Sequence, residues 1–356
     1  MSDCLVVKSH KGEYRVLFDA DAILRLNGSD LTGYHFIVDK RVAELYEDKL
    51  RNIITSKTAF IIEANEESKS LDKFPVYVER LVSQEIRRDH ILVAIGGGVI
   101  QDIVCFLAAT LLRGLKWHFY PTTLLAQADS CIGSKSSINV GRIKNILGTF
   151  TPPEQIYICL DFLKTLEERE LLSGIGEMLK VHAIDSPGSY DRISSDYADL
   201  FSDHSLMKNY IYRSLKIKRT LIELDEFDRG PRNVMNYGHT FGHAIESATD
   251  FMIPHGIAVT MGMDMANYVA ERLELTEMDV YERMHAALRK NYDVFAKMDI
   301  PAEKFFSAIS KDKKNTDDKL KIIIPDRKGK MVPYLYPLDP SFKEICLEYL
   351  RSVRPA

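Results

Sequence analysis

The chain has little sulfur that could be paired. Five cysteines, Cys4, Cys105, Cys131, Cys159 and Cys346, are spread over 356 residues, and no two form a C-x-x-C pair. An odd, dispersed set excludes a disulfide framework and a zinc ribbon, and it predicts reduced thiols in a cytoplasmic protein. An excess of positive charge is also missing: 47 Lys and Arg against 51 Asp and Glu leave a net charge of -4. That balance argues against a nucleic-acid partner, because phosphate backbones are met by clustered cations. No apolar run is long enough to span a bilayer, and the stretch from Val99 to Leu112 is interrupted by Gln101 and Asp102. The opening MSDCLVVKSHKGEYRV lacks the apolar core of a signal peptide, so neither a membrane nor a secretory route is expected. Repeats and low-complexity tracts are absent as well.

What remains is the ordinary mixture of a globular enzyme, with 46% apolar and 28% charged residues. The length predicts two packed domains, each with a sizeable core. In the first third, short β-rich runs alternate with helical patterns: YHFIVDK, RVAELYEDKLRNII, TAFIIEA, SLDKFPVYVERLVSQ and HILVAIGGG. Such alternation predicts βαβ units on a parallel sheet, a Rossmann-like α/β domain. The adjacent Pro152 and Pro153 mark a boundary or a sharp turn, which divides the chain into 1–155 and 156–356. Beyond it, long periodic segments such as SLMKNYIYRSLKIKRTLIELDEF and GIAVTMGMDMANYVAERLEL predict a mainly α-helical domain. KLKIIIPD and KMVPYLYP add a short strand pair near the end.

Gly96, Gly97 and Gly98 close a strand and open a helix, where backbone N–H groups and the helix dipole can face an anion. Without the G-x-G-x-x-G spacing the triplet reads equally as a tight turn. Asp102, one turn on, is either a first-turn acid favoured by the dipole or a cofactor contact. The polar stretch from Pro121 to Asn145 offers Thr122, Thr123, Asp129, Lys135, Lys144 and Asn145 for hydroxyls and phosphate, or serves only as a surface connection. Arg113 beside Gly114 is a helix-end cation or an anion contact. More specific is NYGHTFGHAIE followed by PHG: His239 and His243 share a helix face, and His255 follows beyond a turn. Divalent zinc favours such imidazoles plus a carboxylate, which Glu177, three residues before Lys180, could supply. H-E-x-x-H is absent, so a metalloprotease has no support.

Taken in order, GGGVIQD, ATLLRG, PTTLLAQADS, GSK, KN, GEMLK, KIK, RNVMNYGHTFGHAIE and HG resemble the 3-dehydroquinate synthase family of sugar-phosphate cyclases, from about Asp39 to Lys314. The resemblance implies an amino-terminal NAD-binding domain and a helical domain that binds metal and substrate. It implies that Glu177, His239 and His255 are ligands of a divalent metal, zinc or cobalt. It further implies that Asp39, Glu66, Lys69, Gly97, Gly98, Asp102, Thr122, Thr123, Asp129, Lys144 and Thr165 surround NAD. Arg113, Lys135, Asn145, Lys180, Lys218, Arg232, Asn236, His243 and Lys314 correspond to substrate-binding or catalytic positions, with Lys313 the alternative to Lys314.

The implied reaction converts 3-deoxy-D-arabino-heptulosonate 7-phosphate to 3-dehydroquinate and phosphate. It runs through transient oxidation by NAD, phosphate elimination, return of the hydride and an intramolecular aldol closure, in a homodimer by family habit. Arg232, aided by Lys218 and Asn236, suits the carboxylate of a keto-acid substrate; valiolone and deoxy-inosose synthases, which take uncharged sugar phosphates, are the nearer alternatives. A glycerol-dehydrogenase-like, metal-dependent alcohol dehydrogenase would need no phosphate cage, and a silent cofactor-binding scaffold would not need Glu177, His239 and His255. The chain departs from the family pattern at Gln101, Cys105, Trp117–His118, Ser134 and Ser136–Ser137.

Overall fold

The computed structural model describes residues 4–141, 143–276, 278–311 and 319–355. The chain divides into two compact units, residues 1–167 with 218–227, and residues 168–217 with 228–356.

The first unit is built on strands β1 (Cys4–Ser9), β2 (Gly12–Phe18), β3 (Tyr34–Asp39), β4 (Ala59–Ile62), β5 (Ile91–Gly96) and β6 (Lys116–Pro121), a hairpin β7 (Ile138–Val140) and β8 (Ile143–Leu147), and β9 (Gln155–Ile158). Between them lie helices α1 (Ala22–Asn27), α2 (Lys40–Leu45), α3 (Glu47–Ile54), α4 (Phe74–Ser83) and α5 (Gly98–Thr110). Seven strands form one sheet in the order β1-β2-β9-β6-β5-β3-β4. All neighbours in it are parallel except β1 and β2. The central strands β5 and β6 are buried on both faces, which is why their sequences read as continuous apolar runs rather than alternating ones. From β3 the chain steps outward to β4 and then returns to β5 on the other side. A ligand crevice is expected at such a reversal, outside the carboxyl ends of β3 and β5.

Two expectations need correction. The helical stretch after β3 is broken at Tyr46, which has φ -120° and ψ 28° between α2 and α3. There its hydroxyl donates to the Asp161 carbonyl and pairs with Thr165 Oγ1, both at 2.9 Å. The first unit also continues past the proline pair to Glu167 rather than ending at 155, because β9 is hydrogen-bonded in parallel to both β2 and β6.

The second unit holds α6 (Glu168–Asp185), α7 (Pro187–Ser195), α8 (His204–Leu224) up to Ile217, α9 (His239–Ala248), α10 (His255–Arg272), α11 (Met278–Tyr292), α12 (Ala302–Ser310), the antiparallel pair β10 (Lys319–Pro325) and β11 (Met331–Pro337), and α13 (Pro340–Glu348). α10 is buried from Gly256 to Ala270, as its apolar circumference requires, and α6, α9, α11 and α13 pack around it. Its one charged residue over that span, Asp264, is fully buried and satisfied by Tyr292 at 2.6 Å, Tyr349 at 2.8 Å and His285 at 2.9 Å. Among the described residues, no helix is long and apolar enough to cross a membrane.

Candidate active site

Three helices of the second unit bring Glu177, His239 and His255 together. The approach of α6 to α10 depends on a pair of glycines: a Cβ on Gly176 would overlap the Gly256 carbonyl and the Thr260 hydroxyl, and one on Gly256 would overlap the Ser173 carbonyl. Bare backbone on both helices therefore lets the residue after Gly176 meet the residue before Gly256. Gly238, at φ +76°, turns the chain into α9 so that His239 starts the helix. A side chain there would also strike Met263 on α10.

Glu177 is 1% exposed, and its Oε1 lies 3.5 Å from His255 Nε2 and 3.8 Å from His239 Nε2. Ligand atoms bound tetrahedrally at roughly 2.0–2.1 Å from zinc stand about 3.4 Å apart, so this triplet needs only a small contraction to hold such an ion. Both Glu177 oxygens are buried without a well-formed hydrogen bond, the condition of a carboxylate meant for cations. Lys180 is ion-paired with Oε2 from one turn along α6. Burial would raise the Glu177 pKa, but Lys180 and His255 outweigh it and hold the carboxyl well below its usual range. Burial likewise disfavours charge on His255, while the neighbouring carboxylates of Glu177 and Glu246 push it up to about 10; a bound cation would take the place of that proton. His243 completes a trio of imidazoles whose nitrogens lie within 4.8 Å of one another, and it is the exposed member. Arg232 is buried in the turn before α9, and Asn236 in the same turn donates to the Asn233 carbonyl at 3.1 Å.

In the first unit a second cluster gathers at the carboxyl ends of the parallel strands. Gly97 precedes α5 with an extended backbone. A Cβ on it would come within 2.9 Å of Thr123, whereas one on Gly98 would meet nothing within 4 Å. The amino terminus of α5 is thus open in front, which suits an anion approaching the free N–H groups. Thr122 is fixed beside it by donating to the Gly96 carbonyl at 3.0 Å. Asp102 accepts from Lys69 at 3.0 Å and from the Ser137 backbone at 2.9 Å. Burial pushes Asp102 up to about 6 against the pull of Lys69, and Lys69 reaches Glu66 at 3.4 Å as well. Asn139 then links Glu66 to the backbone of Asn145, by bonds of 3.0 and 2.9 Å. One polar chain therefore joins Asp102, Lys69, Glu66 and Asn145. Asp39 ends β3 and caps α2 through Arg41, and Thr165 follows β9, bonded to Tyr46. Asp129 lies in a π-helical turn and is held twice by Lys218, at its side chain (3.0 Å) and its carbonyl (2.7 Å).

Arg113 is not brought to this cluster. It stands beyond the last turn of α5 and before the amino end of β6, about 20 Å along the helix from Gly98. Lys135 and Lys144 are exposed on the segment around the β7–β8 hairpin. Lys313 and Lys314 lie outside the described residues.

Two family patterns cover most of this chain. The pattern described as 3-dehydroquinate synthase N-terminal matches residues 59–173, and that described as 3-dehydroquinate synthase C-terminal matches residues 174–315. The 3-dehydroquinate synthase of Clostridium tetani (strain Massachusetts / E88) is 35% identical over 304 residues, which cover 82% of this chain and 79% of that protein. The chain belongs to the 3-dehydroquinate synthase family. The fold is shared more widely. A 2-deoxy-scyllo-inosose synthase solved with carbaglucose-6-phosphate, NAD+ and Co2+ superposes with a TM-score of 0.82 at 21% identity, covering 97% of this chain and 99% of that one. The 2-epi-5-epi-valiolone synthase of Streptomyces hygroscopicus subsp. jinggangensis 5008, solved with NAD+ and Zn2+, gives 0.81 at 22% identity, covering 95% and 96%.

Two residues in these clusters were missed in the sequence. Glu246 bonds His255 Nδ1 at 3.2 Å, and its signal was present, since His239, His243 and Glu246 fall at i, i+4 and i+7 on one helix. Gln101, which stands out only as a departure from the family pattern, clamps Ser130 at two points, donating to its carbonyl and accepting from its hydroxyl, each at 2.6 Å. That clamp steadies the irregular turn that carries Asp129.

Proposed function

We propose that this chain is a 3-dehydroquinate synthase, releasing phosphate from 3-deoxy-D-arabino-heptulosonate 7-phosphate and closing the carbocycle with NAD as a catalytic, unconsumed partner. The observation that carries the reading is the convergence of a buried carboxylate and two imidazoles, Glu177, His239 and His255, beside the buried ammonium of Lys180. These residues would hold a divalent metal, zinc or cobalt. The open amino terminus of α5, with Asp39, Glu66, Lys69, Gly97, Gly98, Asp102, Thr122, Thr123, Asp129, Lys144 and Thr165, would hold NAD. When bound, the metal supplies Lewis acidity toward a substrate hydroxyl and NAD a reversible hydride acceptor.

The remaining tasks fall to side chains. Arg232 and Asn236 would hold the substrate carboxylate, Arg232 through a planar, permanent charge that matches that group. Lys135 and Asn145 would hold the phosphate by charge-assisted hydrogen bonds and stabilise it as it leaves, while its own oxygen takes the proton from the adjacent carbon. Arg113 would add a further cation to that set. We further read the protein as a cytoplasmic homodimer. The test is an assay of phosphate release from the keto-acid sugar phosphate with catalytic NAD and added zinc or cobalt. Phosphate should appear without accumulation of NADH, and a chelator should stop it. Stoichiometric NADH from a simple alcohol, with no phosphate released, would replace this reading by a dehydrogenase.

A further inference from the structure

His255 is reached by carboxylates from both sides. Its Nε2 lies 3.5 Å from Glu177 Oε1, and its Nδ1 lies 3.2 Å from Glu246 Oε2. An imidazole that offers Nε2 to a cation carries its proton on Nδ1, and that proton needs an acceptor to fix the tautomer and the ring plane. The Glu246 side chain, 12% exposed, stands where that acceptor is required. The loop that delivers His255 turns sharply. Asp250 and Phe251 lie in the left-handed region, at φ 51° and 61°, and Pro254 ahead of α10 provides no side-chain cap. The same residue fastens this loop a second time, since the Phe251 N–H donates to the Glu246 carbonyl at 2.8 Å.

We propose that Glu246 is a positioning residue of the metal site, acting through His255: it locks the imidazole in the Nδ1–H form with Nε2 aimed at Glu177 and His239. The inference rests on reading Glu177, His239 and His255 as metal ligands, and it adds a fourth side chain that touches neither metal nor substrate.

The experiment compares wild type with Glu246→Gln, which keeps an acceptor but loses the charge, and Glu246→Ala, which loses both. Each protein is stripped with a chelator and titrated with Zn2+ against a chromophoric competitor, and the visible absorption of the Co2+ form is recorded. Removal of an outer-shell partner of this kind weakens metal binding by about 10- to 100-fold. We expect that loss in Glu246→Ala, together with an altered Co2+ spectrum and an unchanged melting temperature of the stripped protein. Glu246→Gln should show a smaller loss with the spectrum retained. If Glu246→Ala binds Zn2+ as tightly as wild type, the proposal is overturned. It is overturned equally if either variant melts lower when stripped while its zinc affinity is unchanged, since Glu246 would then be holding the fold alone. Failure of wild type itself to bind Zn2+ or Co2+ would remove the metal reading first, and this inference with it.

Discussion

His182 lies wholly inside α6, with Nδ1 bonded to the Met178 carbonyl at 2.8 Å and Nε2 buried without a hydrogen-bond partner. Burial pushes its pKa down to about 4, below the roughly 6.5 of an unfolded histidine. The unfolded chain therefore binds the proton first. The stability that the neutral ring permits is complete above about pH 6.5 and is lost as pH falls toward 4. Urea unfolding at pH 7 and pH 4.5 should differ by about 2 to 3 kcal/mol more in wild type than in His182→Leu; equal losses in the two proteins would assign the acid sensitivity elsewhere. His285 works in the opposite sense. Its hydrogen bond to Asp264 raises its pKa, so its contribution is present at low pH and fades as pH rises through the folded value. Arg232 gives the second prediction at this scale. Arg232→Ala should lower kcat/KM by a factor equivalent to about 2 to 5 kcal/mol, the cost of stripping a buried charge of its partner, with little change in melting temperature. Unchanged kinetics would remove the reason to prefer a keto-acid substrate. Single residues were also where the sequence was hardest to read, because Glu246 and Gln101 act through contacts made only after folding.

At the scale of elements, apolar runs and periods predicted β3, β5, α8, α10 and the β10–β11 pair closely. Apolar patterning reports which surfaces must be buried, one face or the whole circumference, and these elements are ruled by that burial. It was silent on the break at Tyr46, where an anchor to Asp161 and Thr165 overrides a continuous helical pattern. It was silent also on β9, which follows so closely on Pro152 and Pro153 that their turn signal overrides it. The site residues were legible as motifs, but the packing that assembles them was not: GEMLK and PHG each show one glycine without showing that the two face each other. Gly176→Ala tests that packing. The added methyl group has no room against the Gly256 carbonyl, so α6 and α10 must separate. A destabilisation of about 1 to 3 kcal/mol is expected, accompanied by weaker zinc binding. Wild-type affinity in a destabilised protein would mean that the helices are free to shift without carrying Glu177 off His255.

For the whole molecule, two chemically different clusters reside in two compact units, and ligands should reveal them separately. In hydrogen-exchange experiments, Zn2+ alone is expected to protect the first turns of α9 and α10 and the middle of α6, and NAD alone the start of α5, the end of β3 and residues 66–69. Binding stabilises by about 2.7 kcal/mol at a ligand concentration of 100 Kd, ample to be seen as slowed exchange. Protection of α5 by zinc alone would contradict this assignment of ligands to units.

The segment from Lys218 to Phe227 belongs to the first unit although its flanks belong to the second. It is secured there by Lys218 to Asp129, Glu223 to the Lys8 backbone, and Glu226 to His10. Halves of two homologues recombined at a single crossover near residue 167 would therefore graft a foreign helix end onto a native sheet. Chimeras of this architecture should express as folded protein only when the crossover scheme returns those ten residues to the parent that supplied Asp129.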